Sequence, residues 1–266
     1  MTKRASTLPG CLVLMLCVCA PGYAQAPIET PPPPAKPAGP APRRDINGVW
    51  SGAAVMRLEA FPPMTPWGQN YFDEAKPLFG PRALPVAESN HGLVTCDPLG
   101  FPQNIMYELR QMEFQVTRNK MLQLFQYQRV FREIWTDGRK LPASVGKDTE
   151  GSVDPKHYGY SIGSWADDYT FVINSTGFNE KSWANALGHP RSVDAKIEER
   201  YRRVDSNTLE LTVTIDDPKA YTTSPFVAMR QQLRLSPKQE YDEQLCIPSE
   251  ALEYLSIFKP VAGFSR

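Results

Sequence analysis

The chain has 266 residues, of which 29 are Lys or Arg and 29 are Asp or Glu, so its formal net charge is zero. Such a chain lacks the basic surface on which nucleic-acid binding depends, and we expect no nucleic-acid partner. Hydrophobic residues make up 41% and aromatic residues 11% of the chain, which is enough for one sizeable core and excludes a wholly disordered protein.

Residues 1–26 have the pattern of a signal peptide. Lys3 and Arg4 form a basic start, residues 8–20 are mostly apolar, and Ala24-Gln25-Ala26 is a small-residue cleavage site. The apolar stretch is too short to cross about 30 Å of hydrocarbon, so we expect no integral membrane span. The sequence therefore predicts a periplasmic or secreted protein that is cleaved near Ala26.

Residues 27–44 are predicted to be a proline-rich, disordered linker, and residues 45–266 a single β-barrel domain. Prolines are dense in the linker, which favours an extended polyproline conformation. Only Cys96 and Cys246 remain after cleavage, and an oxidising compartment favours a disulfide between them. Two separate buried thiols are the alternative.

The predicted elements follow in chain order. After a strand at residues 47–58, Thr65 is a suitable N-cap for a short helix that starts at Pro66 and ends before Pro77. Residues 79–104 form a long irregular passage, which is typical of a functional loop, and we expect it to be part of an entrance. Further strands are predicted at residues 113–117, 121–128, 130–136, 158–165, 169–175, 196–204, 209–215 and 226–235, and a closing helix at 249–257.

Many strands joined by short turns, with little helix, indicate an all-β protein. The simplest arrangement is an antiparallel meander with short helices and long loops, which removes its exposed edges by closing into a lipocalin-like β-barrel. A flat sandwich is the alternative. A barrel of about eight strands is either filled by its own side chains or holds one small ligand.

The run Gly48-Val49-Trp50 on the first predicted strand resembles the Gly-x-Trp signature of lipocalins and the wider calycin superfamily. In those barrels the tryptophan closes the base and packs under an arginine from a late strand. The resemblance implies that Arg230 or Arg234 stacks on Trp50.

Other runs, at residues 63–68, 96–102, 133–139 and 216–222, resemble those of a group of uncharacterised exported bacterial proteins. That second resemblance covers most of the domain but implies no activity.

Charged residues alternate along the strand at residues 197–203, so either face that points inward carries charge. If the face of Ile197 lines a cavity, Glu199 and Tyr201 are a buried acid and hydroxyl that can move protons. We favour the simpler alternative, a ladder of Arg and Glu side chains on a solvated face.

Three histidines, His91, His157 and His189, lie in different loops without the spacing of a zinc site, and we expect no metal. No nucleophile elbow, phosphate loop or dinucleotide fingerprint is present, so we expect no cofactor. The candidate catalytic residues, if the protein is an enzyme, are His189, Glu199 and Tyr201. The candidate ligand-binding residues are Trp67, Arg132, Trp135 and Tyr160.

Three functions remain open from the sequence. The leading hypothesis is an exported lipocalin-like protein that binds a small apolar or aromatic molecule. The second is a cofactor-free lyase, hydratase or isomerase that uses acid–base chemistry inside the barrel, and the third is an envelope interaction protein. The sequence leaves the oligomeric state open.

Overall fold

The computed structural model describes residues 38–52, 57–106, 111–236, 238 and 244–258. The predicted signal peptide and residues 27–37 of the predicted linker lie outside these residues. The described residues form ten strands, which are β1 (Gly48–Gly52), β2 (Arg57–Leu58), β3 (Met112–Val116), β4 (Lys120–Phe125), β5 (Phe131–Trp135), β6 (Tyr160–Trp165), β7 (Thr170–Thr176), β8 (Lys196–Asp205), β9 (Thr208–Asp216) and β10 (Phe226–Leu235). The helices of this part of the chain are α1 (Pro66–Glu74), α2 (Gln103–Met106), α3 (Pro248–Phe258) and two short 3₁₀ helices, Val86–Glu88 and Gly92–Val94.

Nine of the described strands close into a barrel, which confirms the predicted fold class. The strand order is β1-β3-β4-β5-β6-β7-β8-β9-β10, and β1 pairs with β10 to complete the ring. The short strand β2 adds to β10 beside β1. The prediction of one strand at residues 47–58 is therefore met by β1 and β2, with residues 53–56 outside the described part.

One strand pair departs from the predicted meander. β5 and β6 run parallel, whereas every other neighbouring pair around the ring is antiparallel. An odd number of strands cannot be antiparallel throughout a closed ring, so nine strands require a parallel pair. The β5–β6 ladder is also short, since it registers only Ile134 with Ser161 and Trp135 with Ile162. This parallel seam is the place where the barrel wall diverges.

Alternation along β8 and β9 decides which side chains fill the barrel. On β9 the apolar side chains Leu209, Leu211, Val213 and Ile215 are all buried, as the pattern predicts. Neighbouring strands add further buried side chains to the same core, among them Met112, Phe114, Met121, Ile173, Ile197 and Met229. The centre of the barrel is therefore packed with its own side chains.

The base of the barrel is closed around Trp50. The indole Nε1 donates to the carbonyl of Ile46 at 2.9 Å, and the guanidinium of Arg203 lies 4.6 Å from the ring centroid. The expectation that Arg230 or Arg234 stacks on Trp50 is wrong, because Arg203 of β8 takes that place. Both expected arginines alternate with buried residues along β10 and lie on its outer face.

Residues that precede β1 also lie against the base. The backbone N–H of Gly39 donates to Ser206 Oγ at 2.9 Å, and Ser206 N–H donates back to the carbonyl of Gly39 at 2.9 Å. Arg43 forms an ion pair with Asp168 at 2.5 Å. Residues 38–44 are thus attached to two turns of the barrel.

At the opposite end, residues 96–106 pack into the barrel mouth. α1 begins as predicted, with Thr65 Oγ1 accepting from the N–H of Gly68 at 3.1 Å. Beyond it, Phe101, Ile105 and Met106 are fully buried in the core. Residues 96–106 therefore form a plug, whereas most of residues 79–95 are partly or fully exposed. The expected part of this passage in an entrance stays a prediction.

The predicted disulfide is present and links this plug to the C-terminal segment. Cys96 and Cys246 are bonded, with their Cα atoms 5.3 Å apart. α3 follows the bridge, and none of its residues is buried. Among the described residues, no helix combines the length and apolar composition needed to cross a bilayer.

Candidate functional site

A cavity of about 660 Å³ opens in the barrel wall at the parallel seam, where β5 and the residues before β6 diverge. We call it the β5–β6 cavity. Its lining comes from β5, from residues 155–161, and from two further loops, which contribute Pro98 and Asn179. A volume of about 300–1,000 Å³ is typical of small-molecule sites.

Three of the four predicted ligand-binding residues line this cavity. Arg132 and Trp135 reach it from β5, and Tyr160 reaches it from the start of β6. Trp67 lies elsewhere, on α1, where its ring is 5.5 Å from that of Tyr71. The tertiary structure thus joins residues that are 28 positions apart in the sequence and leaves one predicted residue outside.

Aromatic rings form the outer part of the cavity. Phe131 and Trp135 lie on the outward face of β5, and Phe131 is 57% exposed. Tyr160 faces them from β6, with its hydroxyl donating to the carbonyl of Asp154 at 2.9 Å. Such rings offer flat apolar surfaces on which a planar molecule stacks well.

Cations lie over two of these rings. The guanidinium of Arg139 is 3.4 Å from the ring centroid of Trp135, and the ammonium of Lys156 is 4.2 Å from that of Tyr160. These contacts orient both rings and place positive charge beside the cavity.

The floor of the cavity is polar because Arg132 and Ser161 point inward. Arg132 Nη2 donates to both carboxylate oxygens of Glu199 at 2.6 Å, and its Nε donates to Gln123 Oε1 at 2.7 Å. Its guanidinium also lies 3.9 Å from the ring centroid of Phe101 in the plug. The two charged side chains are 2% and 0% exposed, so the pair is shielded from water.

Glu199 and Tyr201 face the interior, so our preference for a solvated ladder on this face of β8 is wrong. The face of Ile197, Glu199, Tyr201 and Arg203 is buried, whereas the opposite face is open to water. The bonds from Arg132 and from the Tyr201 hydroxyl offset the cost of burying the carboxylate beside the apolar side chains of β9.

A hydrogen-bond network surrounds this ion pair. Tyr201 Oη donates to Glu199 Oε2 at 2.9 Å and accepts from Gln123 Nε2 at 3.1 Å. Burial, together with the charge of Glu199, raises the pKa of the Tyr201 hydroxyl well above its ordinary value. The phenol therefore stays protonated at neutral pH, and the carboxylate of Glu199 accepts from Arg132 and Tyr201.

The third predicted catalytic residue, His189, lies in a different cluster. Its Nδ1 is 3.0 Å from Asn185 Oδ1, and its ring is 4.2 Å from that of Phe61. Burial, assisted by the charge of Arg82, lowers the pKa of His189 to about 4. Within the described residues, no hydrogen bond or ion pair joins His189 to Glu199 or Tyr201.

Three of the lining residues, Phe131, Lys156 and His157, were not among the ligand-binding residues predicted from the sequence. Burial is the largest cause of the lowered pKa of His157, and the charges of Lys181 and Arg191 lower it further. The sequence signal was position alone, since Phe131 lies in the strand predicted at residues 130–136, and Lys156 and His157 precede the one at 158–165. That signal does not reveal which strands will diverge.

No cluster of three or more His, Cys, Asp or Glu side chains in the described part of the chain is suited to a metal ion. Comparison with known proteins adds no assignment, because no protein family and no curated protein matches this sequence. The β5–β6 cavity and its charged floor are therefore the features from which a function is argued.

Proposed function

We propose that this protein is an exported binding protein that holds a small, mostly aromatic molecule in the β5–β6 cavity. The observation that carries the proposal is a cavity of the volume typical of small-molecule sites, lined by the aromatic rings of Phe131, Trp135 and Tyr160. Exposed aromatic surface is unfavourable in water, and a planar guest would remove part of it from solvent.

The buried floor supports this proposal by supplying rigidity. Arg132 is held by Glu199, Gln123 and the ring of Phe101, so the bottom of the cavity is a fixed wall whose charge is already paired. Ser161 Oγ adds a hydroxyl that is 2.8 Å from Ser175 Oγ. Sites whose lining is held in place by packing lose less entropy on binding.

Export is supported by the Cys96–Cys246 bond, since disulfides persist in oxidising compartments. The proposal places the chain in the periplasm or outside the cell after cleavage near Ala26. Intact-mass measurement of the chain recovered from the envelope fraction tests this, and recovery of an uncleaved chain in the cytosol would contradict it.

The acid–base alternative with His189, Glu199 and Tyr201 has less support. His189 belongs to another cluster, Glu199 is paired with Arg132, and Tyr201 keeps its proton at neutral pH. The alternative of an envelope interaction protein has exposed apolar side chains on α3 in its favour, but no contact that identifies a partner.

Binding of the neutral dye N-phenyl-1-naphthylamine, followed by its fluorescence, tests the proposed site. We expect Trp135→Ala and Tyr160→Ala each to weaken binding by about fivefold to thirtyfold, since an aromatic contact contributes about 1–2 kcal/mol. Trp67→Ala is the matched control, because it removes the same side chain from α1, outside the cavity.

The control also decides between the two predicted tryptophan sites. If Trp67→Ala weakens binding and Trp135→Ala does not, the β5–β6 cavity is not the site. If the dye does not bind at all, the protein lacks an accessible aromatic site and the proposal fails.

A further inference from the structure

The charged side chains around the β5–β6 cavity differ in whether a side chain of opposite charge lies within salt-bridge distance. Arg132 is paired with Glu199, and Glu133 is paired with Lys120. Lys156 also lines the cavity, but no carboxylate of the described residues lies within 4.0 Å of its ammonium group. The ammonium lies over the ring of Tyr160, 4.2 Å from its centroid. Among the described residues, Lys156 is thus the lining cation that has no carboxylate at salt-bridge distance.

Two further cations act on the corner next to Lys156. His157 follows it in the chain and lines the same cavity, and the charges of Lys181 and Arg191 act on its ring. Asp97 acts in the opposite direction, but its influence on the ring is smaller than that of either cation. Arg191 itself is fully buried, and its Nη2 donates only to neutral Ser182 groups, at 2.7 and 3.3 Å.

Arg139, the cation over Trp135, has a carboxylate partner at salt-bridge distance, and Lys156 has none in the described part of the chain. Arg139 also lies over an aromatic ring of the cavity, but Asp137 forms an ion pair with it at 2.7 Å. Of these two cations, only Lys156 has no acidic neighbour at salt-bridge distance in the described part of the chain. An anionic group of a ligand beside Lys156 would pair with its ammonium as Asp137 pairs with Arg139.

We propose that the natural ligand of the β5–β6 cavity is an aromatic acid, a planar ring system bearing a carboxylate or a similar anionic group. This proposal rests on the proposed function and names the chemistry of its ligand. The ring lies against Trp135 and Tyr160, and the anionic group lies at Lys156, where the ammonium is already positioned by the face of Tyr160.

Two dyes with the same ring system provide the test. 8-Anilinonaphthalene-1-sulfonate carries a negative charge, whereas N-phenyl-1-naphthylamine is its neutral counterpart. The dissociation constant of each dye is measured for the purified chain and for the variant Lys156→Gln. Lys196→Gln is the matched control, because Lys196 lies at the start of β8, outside the cavity.

We expect Lys156→Gln to weaken binding of the anionic dye by about threefold to fivefold, which is the effect of one partly solvated charge pair. Binding of the neutral dye should change by less than about twofold, and Lys196→Gln should change neither. Added salt should weaken binding of the anionic dye to the parent chain and have less effect on the variant.

The outcomes separate the two proposals. If Lys156→Gln weakens both dyes equally, or neither, the inference of an anionic ligand is overturned while the aromatic site stands. If neither dye responds to Trp135→Ala, the proposed function itself fails, and the ligand chemistry with it. Because exposed apolar side chains on α3 could also attract the anionic dye, both constants are measured again in Ile257→Ser, which should leave them unchanged.

Discussion

Replacing Glu199 by glutamine is expected to destabilise the barrel strongly while leaving its shape intact. The carboxylate accepts two bonds of 2.6 Å from Arg132 Nη2, and the two side chains are 0% and 2% exposed. Glutamine keeps the volume of the side chain but leaves the guanidinium charge buried without a counter-charge. Breaking a buried pair from one side costs about 3–5 kcal/mol.

The Coulomb energy gives the same order of magnitude. Two unit charges about 4 Å apart attract each other by about 4 kcal/mol at the effective dielectric constant of about 20 that suits protein sites. The hydrogen bond from Tyr201 to Glu199 Oε2 survives in the variant, since an amide oxygen also accepts. We therefore expect the lower half of the range, about 3 kcal/mol, for Glu199→Gln.

Urea unfolding at pH 7, followed by tryptophan fluorescence with the disulfide oxidised, measures this cost. The exposed pair of Arg202 and Glu210 is the matched control, because it also joins an arginine to a carboxylate, at 2.5 Å, with side chains 56% and 42% exposed. Glu210→Gln should cost less than about 1 kcal/mol. The double variant Arg132→Met/Glu199→Gln should cost less than the sum of its two single variants, because it leaves no unpaired charge.

Two results would refute the reasoning. One is a cost for Glu199→Gln no larger than that for Glu210→Gln, since burial would then have no effect on the pair. The other is strict additivity in the double-mutant cycle, since the two side chains would then not interact.

The pH dependence of folding and the closure of the base are further tests. Burial lowers the pKa of both His91 and His189 from 6.5 to about 4. As the pH falls, the unfolded chain therefore takes up these protons first. The free energy of unfolding should decrease between about pH 6.5 and 4 and then level off. The contribution of the buried His91 to this decrease should be on the order of 3 kcal/mol. Urea midpoints measured across this range in the parent chain and in His91→Gln check this, and an equal decrease in both would contradict it. At the base, Arg203→Lys should lower the free energy of unfolding by about 1–2 kcal/mol, because lysine cannot keep the bonds to three carbonyls together with the contact to Trp50. Arg202→Lys, on the opposite face of β8, should lower it by less than about 0.5 kcal/mol in the same assay. Equal costs for the two variants would show that the base does not depend on the guanidinium.

Local patterns in the sequence were enough to predict the elements and the covalent bridge. The alternation of Leu209, Leu211, Val213 and Ile215 predicted a strand with one buried face, and β9 has that face. Thr65 followed by proline predicted the start of α1, since capping depends on residues within one turn. The number of strands and their short turns then favoured a closed barrel.

Tertiary structure decided the features that depend on residues far apart in the chain. Alternation on β8 shows two charged faces, and only the position of Arg132 on β5 makes the face of Glu199 the one that is buried. Likewise, Arg203 takes the place of the expected arginines over Trp50 because it lies on the inward face of β8, whereas Arg230 and Arg234 lie on the outer face of β10.

The β5–β6 cavity was the least predictable feature. Side-chain periodicity along a strand indicates which residues share a face. It does not indicate the direction of the neighbouring strand or the number of strands that close the barrel. Nine strands require one parallel pair, and the short ladder of that pair lets the wall diverge around Lys156 and His157. The sequence by itself thus determined the elements through local physics, whereas the site arose from ring closure, which is a property of all nine strands together.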